Sequence, residues 1–167
     1  MLLRISMFAA VAVVAAVQFP AVFKSLSPET PETVVPQTVA VVAPSGAVTL
    51  KADGRGHYGG TFKLNGKPVE GLIDTGASLV AINESTARRL GFSATALDFR
   101  YAINTANGKT DAAHVVLSRV EIGGVKVEAV DAFVLRDSAL STTLIGMSFL
   151  KKLGSYGVDG DRMTLRR

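Results

Sequence analysis

Few residues in this chain could carry chemistry. Its 167 residues include no cysteine and only two histidines, His57 and His114. That excludes a disulfide scaffold, a thiolate zinc site, an iron–sulfur cluster and a cysteine nucleophile. Two isolated histidines also fail to supply a His-rich metal site or a Ser-His-Asp triad. Carboxylates remain, and one stands out, in Leu72-Ile73-Asp74-Thr75-Gly76-Ala77-Ser78. Asp74 directly follows an apolar strand and enters a turn of small residues. Most strand-end aspartates are turn formers, and Asp-(Thr/Ser)-Gly arises by chance in about one chain of this length in fifteen. The setting is more informative than the tripeptide. Apolar Leu72, Ile73, Leu79, Val80 and Ile82 place the turn inside a domain, where a carboxylate needs hydrogen-bond donors or a second group to share its proton.

Other motif matches fail on context. Gly54-Arg55-Gly56-His57-Tyr58-Gly59 fits G-x-G-x-x-G, but it leads into strand-like sequence where a dinucleotide site needs a helix. Ser148-Phe149-Leu150-Lys151 fits S-x-x-K without its partner motifs S-D-N or K-T-G. Asp74, Asp98, Asp111, Asp131 and His114 have the spacing of neither a calcium loop nor a zinc motif. No metal and no cofactor is expected.

The elements that must position Asp74 are mostly β. Short alternating runs flank turn dipeptides: 57–64 and 67–73 about Asn65-Gly66, and 99–105 and 109–117 about Asn107-Gly108. Runs 119–122 and 125–130 flank Gly123-Gly124, and 156–158 and 162–165 flank Asp159-Gly160. Helix signals are sparse. Asn83 can cap a helix over 84–90 stopped by Gly91, and 147–153 reads as a second stopped by Gly154. A small closed β-barrel with one or two short helices is the economical architecture.

The front of the chain differs from the rest. Residues 5–23 are almost wholly apolar and close to the ~20 needed to span a bilayer as a helix. They read as a transmembrane anchor, with a signal peptide as the rival. Five of six prolines fall in the first 44 residues, and 24–47 reads as an extended, solvated tether. The domain proper spans 48–167. A net charge of +4 is spread over pairs such as Arg88-Arg89, Lys151-Lys152 and Arg166-Arg167, with few aromatics, so nucleic acid is not an expected partner.

Taken together, Gly71-Leu72-Ile73-Asp74-Thr75-Gly76-Ala77-Ser78 resembles the active-site loop of retropepsin-type aspartic proteases. Leu144-Ile145-Gly146 resembles the hydrophobic-hydrophobic-Gly motif that lies beside that loop and precedes a short helix. Thr105-Ala106-Asn107-Gly108 falls where such proteins carry the flap that closes over substrate. More narrowly, the chain resembles bacterial membrane-anchored, retropepsin-like aspartic proteases over about residues 56–167. The resemblance implies a closed β-barrel of that type, tethered by a single transmembrane helix in the bacterial inner membrane, with the domain in the periplasm. Ser78 departs from the retroviral pattern, in which an acidic residue stands at that place.

The implied mechanism needs two carboxylates sharing one proton across a water, because like charges about 3 Å apart do not both ionise. Asp74-Thr75-Gly76 occurs once; Asp159-Gly160-Asp161 lacks the hydroxyl residue. The resemblance therefore implies a homodimer that brings Asp74 of each copy to a two-fold axis. Thr75 would link the two loops, Gly76 would allow close backbone approach, and the flap would lower residues 102–108 onto a protein or peptide substrate. Leu144 and Ile145 are core residues and pocket walls by the same resemblance. Tyr101 is open between a flap aromatic and an ordinary sheet tyrosine. The rival function is a catalytically silent peptide-binding or dimerisation module.

Overall fold

A computed structural model describes residues 41–42, 46–105 and 108–167. The expected anchor, most of the tether, and Ala106 and Asn107 of the expected flap lie outside the described residues. Among the described residues no helix is long and apolar enough to cross a membrane.

Tight turns organise the strands. Asn65 and Gly66 both have positive φ, 49° and 80°, the pair a two-residue hairpin turn demands, and they join β3 (Gly59–Leu64) to β4 (Lys67–Ile73). Asn65 has a second task. Its side-chain carbonyl accepts from the Ser118 hydroxyl at 2.9 Å, and its backbone N–H donates to the Arg119 carbonyl at 2.8 Å. These bonds sit where β3 meets β7 (Gly108–Ile122) through Lys63↔Glu121 and Leu64↔Val120. With β5 (Val80–Asn83), β8 (Val125–Leu135) and β9 (Thr143–Ile145), the ring runs β3–β4–β9–β5–β8–β7 and back to β3. It is a closed barrel of six strands, as the turn pattern leads one to expect.

Two pairings were not visible in the sequence. β4 and β9 are parallel, as are β5 and β8. Both β5 and β9 are short, and neither is flanked by a hairpin dipeptide. The expected hairpin strands 109–117 and 119–122 are one strand, β7, and its partner β8 runs past 130 to Leu135. Around Ser118 and Ala129 the inward-facing phase switches in both strands: Ala113 and Leu117 are buried before it, Val120 and Ile122 after it. Ala129 takes positive φ there, 53°. The hairpin thus bends where the barrel closes, instead of ending.

Among the described residues β6 (Phe99–Thr105) pairs only with β7. Residues 108–111 of β7 have β6 as their strand partner, whereas Ala112 and Ala113 pair with both β6 and β8. The two strands therefore project as an arm. Thr105 pairs with Gly108, so Gly108 begins a strand and is not a turn position as the Asn107-Gly108 signal implied.

Helix α1 (Glu84–Leu90) matches its sequence signals: Asn83 accepts from the Thr86 N–H at 2.9 Å, and Gly91 ends it at φ 100°. Asp137 adds a second bond set, accepting from the Ser85 N–H at 2.9 Å and the Ser85 hydroxyl at 2.7 Å. Helix α2 is shorter than expected, Met147–Leu150 in place of 147–153. The remaining strands, β1 (Val41–Val42), β2 (Ala47–Lys51), β10 (Ser155–Asp159) and β11 (Arg162–Arg166), make a second sheet in the order β1–β2–β11–β10. The last hairpin turns on Gly160 and Asp161, one residue beyond the Asp159-Gly160 expected. Val48, Leu50, Met163 and Leu165 of this sheet join the barrel residues in one core, with Phe149 of α2 fully buried among them.

The tightest packing lies between α2 and the segment following β4. A Cβ on Gly146 would stand 2.2 Å from the Leu79 carbonyl oxygen and 2.6 Å from that of Ala77. Both are backbone atoms. Gly146→Ala should therefore cost about 3 kcal/mol, measured as a lowered urea midpoint with unchanged slope. A second outcome concerns pH. The Ser85 N–H, then its hydroxyl, hold the Asp137 carboxyl below its ordinary range. Folding is favoured by the charged form, so this contribution is present above the unfolded value, about pH 4, and lost as pH falls through the lower folded value. Asp137→Asn should lower Tm at pH 7, and the gap from wild type should narrow steadily as melts are taken down to pH 3.

Candidate active site

Asp74 is the first residue past β4, and its position is set by backbone bonds on both sides. Its N–H donates to the Ile145 carbonyl at 3.0 Å, continuing the parallel β4–β9 ladder of Leu72↔Leu144 and Ile73↔Ile145. Its side chain then accepts from the Gly76 N–H at 2.8 Å, the self-bonded turn typical of aspartate. The Ala77 N–H closes on the Asp74 carbonyl at 3.3 Å, and the Met147 N–H holds the Ala77 carbonyl at 2.8 Å. The loop is thus pinned at its start by β9 and at its end by α2. Gly146 allows this contact because it has no side chain.

Ser148 completes the support. Its hydroxyl accepts from the Val80 N–H at 2.8 Å and donates to the Asp131 carbonyl at 2.7 Å, joining the chain after the loop to β8. This is the serine of the S-x-x-K match, and its role is a bridge between strands.

Asp74 is half-buried on the floor of a cleft of about 720 Å³. Gly76, Ala77 and Ser78 continue the floor, and Leu144 stands beside them. Phe133 and Leu135 of β8 with Leu140 form an apolar wall, and Ile103, Asn104 and Thr105 of the arm form the roof. Apart from Asp74 and the polar residues of loop and arm, the lining is aliphatic or aromatic. Such a cleft offers dry surface to an apolar side chain, with a carboxylate at one end.

The expected residues divide as follows. Asp74, Gly76, Leu144 and Thr105 line the cleft. Ile145 is fully buried in the core, so of the pair expected as core and wall, Leu144 is the wall and Ile145 the core. Gly146 touches the loop from behind. Thr75 stands exposed at the loop tip, and its hydroxyl bonds to no described residue. Gly108 lies on the arm, where its carbonyl accepts from the Thr105 hydroxyl at 2.9 Å. Tyr101 packs against Phe133 and His114 with ring centroids 5.7 and 6.2 Å apart. Its partner Ala112 lies opposite Leu135, so Tyr101 shares the sheet face of Phe133 and Leu135 and flanks the wall.

Phe133, Leu135 and Leu140 were missed by the sequence reading. The alternation along β8 marks them as sheet residues, but which face meets a cleft depends on the parallel β5–β8 pairing. The glycine-rich stretch before β3 is also explained. Asp53 accepts from the N–H groups of Arg55 and His57 at 2.8 and 2.9 Å, which holds its carboxyl below the ordinary range. The amides that a phosphate would need are therefore occupied by the chain's own side chain.

Comparison with known proteins agrees with this geometry. Residues 60–152 match the family described as "gag-polyprotein putative aspartyl protease". Among curated proteins, an uncharacterized protein in the cobV 5' region of Sinorhizobium sp. is 34% identical over 119 residues, covering 71% of this chain and 51% of that one. The uncharacterized protein RP867 of Rickettsia prowazekii is 30% identical over 120 residues, covering 72% and 51%. The chain thus spans about half the length of the curated relatives it matches. Among solved structures, a retropepsin-like aspartic protease from Rickettsia conorii superposes with TM-score 0.63 at 31% identity, covering 72% of this chain and 89% of that one. EIAV protease superposes with TM-score 0.50 at 18% identity, covering 62% and 93%, a likeness of fold alone. With its six-strand barrel, its Asp74-Thr75-Gly76 loop and a matched segment of more than half its length, this chain belongs to the retropepsin-like aspartyl protease family.

Proposed function

We propose that the chain is an aspartic endopeptidase whose active site forms when two copies bring their Asp74 carboxylates together. The observation that carries this is Asp74 itself. It is fixed by backbone bonds at the floor of an apolar cleft, with an exposed threonine beside it and, among the described residues, no second carboxylate lining that cleft. One carboxylate cannot serve as acid and base in the same step; two sharing a proton can. The charged carboxylate takes a proton from water as the water oxygen attacks the peptide carbonyl. The protonated one donates to the carbonyl oxygen, giving a neutral diol. Return of a proton to the amine nitrogen then releases the two products. No cofactor is needed.

Substrate would lie extended between floor and arm, with an apolar side chain against Phe133, Leu135 and Leu144. Ile103 to Thr105 would meet its backbone from above, in the manner of an added strand. Residues 5–23 would anchor the enzyme in a bacterial inner membrane with the domain in the periplasm, a proposal resting on that apolar run and the proline-rich segment after it. The proline-rich segment 24–47 would be a site of self-release.

Asp74→Asn tests the reading. Incubated with a diverse peptide pool between pH 4 and 7 and followed by mass spectrometry, wild type should cleave. The variant should lose activity by at least about 10²–10⁴-fold, the usual share of acid–base catalysis, while keeping its melting temperature and its mass in solution. Equal cleavage by the two proteins would refute the role of Asp74. Binding of peptides without cleavage by wild type would make the chain a recognition module.

A further inference from the structure

We propose that the end of the barrel remote from Asp74 is a docking face for an anionic lipid surface, built from cations that five separate segments bring together. The lipid as partner rests on the anchor proposed above; the face itself is argued from its charges.

Basic residues that look scattered along the chain are gathered by the fold. Lys63, Glu121 and Lys126 form one row across β3, β7 and β8, and Arg119 lies two residues from Glu121 on the same face of β7. Glu121 faces Lys63 at 3.6 Å and Arg119 and Lys126 at 3.9 Å each. One carboxylate thus meets three cations. Its side chain is 14% exposed, whereas those of the three cations are 60%, 47% and 54%. The negative charge is covered and the positive charges stand outermost.

Two more cations extend the row. Residues 125–129 of β8 have β7 as their strand partner, and pairing with β5 begins only at Ala132. Carbonyls along that stretch are taken by side chains instead. The Arg167 guanidinium donates to the Lys126 carbonyl, and the Lys152 ammonium donates to those of Glu128 and Ala129. A carbonyl satisfies a donor but carries no net charge, so both cations keep theirs uncompensated. With Glu128 opposite Arg119, five cations stand over two carboxylates, a surplus of three in a chain whose net charge is +4.

Placement identifies the partner. Lys63 lies opposite Pro68, six residues before Asp74 along β4, and six residues of strand span about 20 Å. A surface met at this end leaves the cleft clear. The start of the domain lies close by: the Arg167 N–H donates to the Gly46 carbonyl at 2.9 Å, and Val41 of β1 pairs with Thr49 of β2. Only residues 24–40 separate Val41 from the apolar run 5–23, a length that cannot exceed about 60 Å. An anchor in a bilayer would therefore hold this face at high effective concentration beside the headgroups. Anionic lipids attract each Lys or Arg that comes within a Debye length of them, about 8–10 Å at physiological salt.

The chain has no cysteine, so Gly124→Cys, on the turn between β7 and β8, gives a single labelling site. A Cβ there meets only the Gly46 nitrogen and the Ala47 carbonyl oxygen, at 3.8 and 4.0 Å. The full chain, labelled with a fluorophore at residue 124, is reconstituted into vesicles carrying a headgroup nitroxide. Quenching should be at least about twofold greater in phosphatidylcholine mixed with phosphatidylglycerol than in phosphatidylcholine alone. The excess should vanish at about 1 M salt, where the Debye length is about 3 Å. It should also vanish in the Lys63→Gln, Lys126→Gln, Lys152→Gln variant with an unchanged melt. Equal quenching in the two lipids, or an excess that survives salt, would overturn the proposal whether or not the triple variant folds. Flotation reads the anchor separately. A chain that floats with neutral vesicles yet is quenched equally in both lipids keeps the anchor and loses the docking face. One that floats only with anionic vesicles, and is quenched there, loses the anchor and keeps the face.

Discussion

Crowding at Gly146 is the constraint on which the rest of the site depends. The Asp74 loop is short and consists of small residues, so its own side chains cannot fix its shape. It is held by the backbone of β9 at one end and of α2 at the other, and both come from a single passage of chain, 143–147. That passage can lie against the loop only if the residue between strand and helix has no side chain, because the Leu79 and Ala77 carbonyls occupy the space. Parallel pairing matters for the same reason. It lets β4 and β9 end together, so that a carboxylate and a helix emerge side by side from one edge of the barrel.

The cleft follows from that arrangement. β5 and β9 are short, and beyond them the faces of β8 and the β6–β7 arm are left uncovered. Their outward residues are apolar where they face Asp74, notably Phe133, Leu135 and Ile103. Charged groups lie elsewhere, on α1 and its neighbours: Arg136 pairs with Glu84 at 2.7 Å, and its guanidinium sits 3.6 Å from the Phe99 ring centre. Among the described residues Asp74 is the only ionisable one that lines this cleft.

Much of this was legible in the residues. Asn65-Gly66 and Gly123-Gly124 announce their hairpins because the turns need backbone angles that few residues adopt, and Asn83 with Gly91 bounds α1 to the residue. Asp74-Thr75-Gly76 and Leu144-Ile145-Gly146 pointed to the loop and its neighbour. What stayed hidden is non-local. β5 and β9 are strands because parallel partners far away in sequence complete them, and nothing near residues 80–83 or 143–145 encodes that. β7 looked like two strands because its alternation breaks at Ser118, yet the break is a bend at the closure with β3. The shortened α2 has a like cause: residues 151–153 already lead the chain towards β10. The apolar wall was missed since burial on β8 alternates equally well for either face.

The length of β7 carries a mechanical consequence. Fifteen residues make a strand about 50 Å long at 3.3–3.4 Å per residue, one end in the arm and the other at the closure with β3. It behaves as a cantilever. Its support is Ala112 and Ala113, fully buried and paired on both sides, whereas the four residues beyond them have β6 as their strand partner. The overhang can tilt without parting any ladder of the barrel, so the stiffness that holds the floor under Asp74 and the compliance of the arm above it reside in one strand, divided at two alanines.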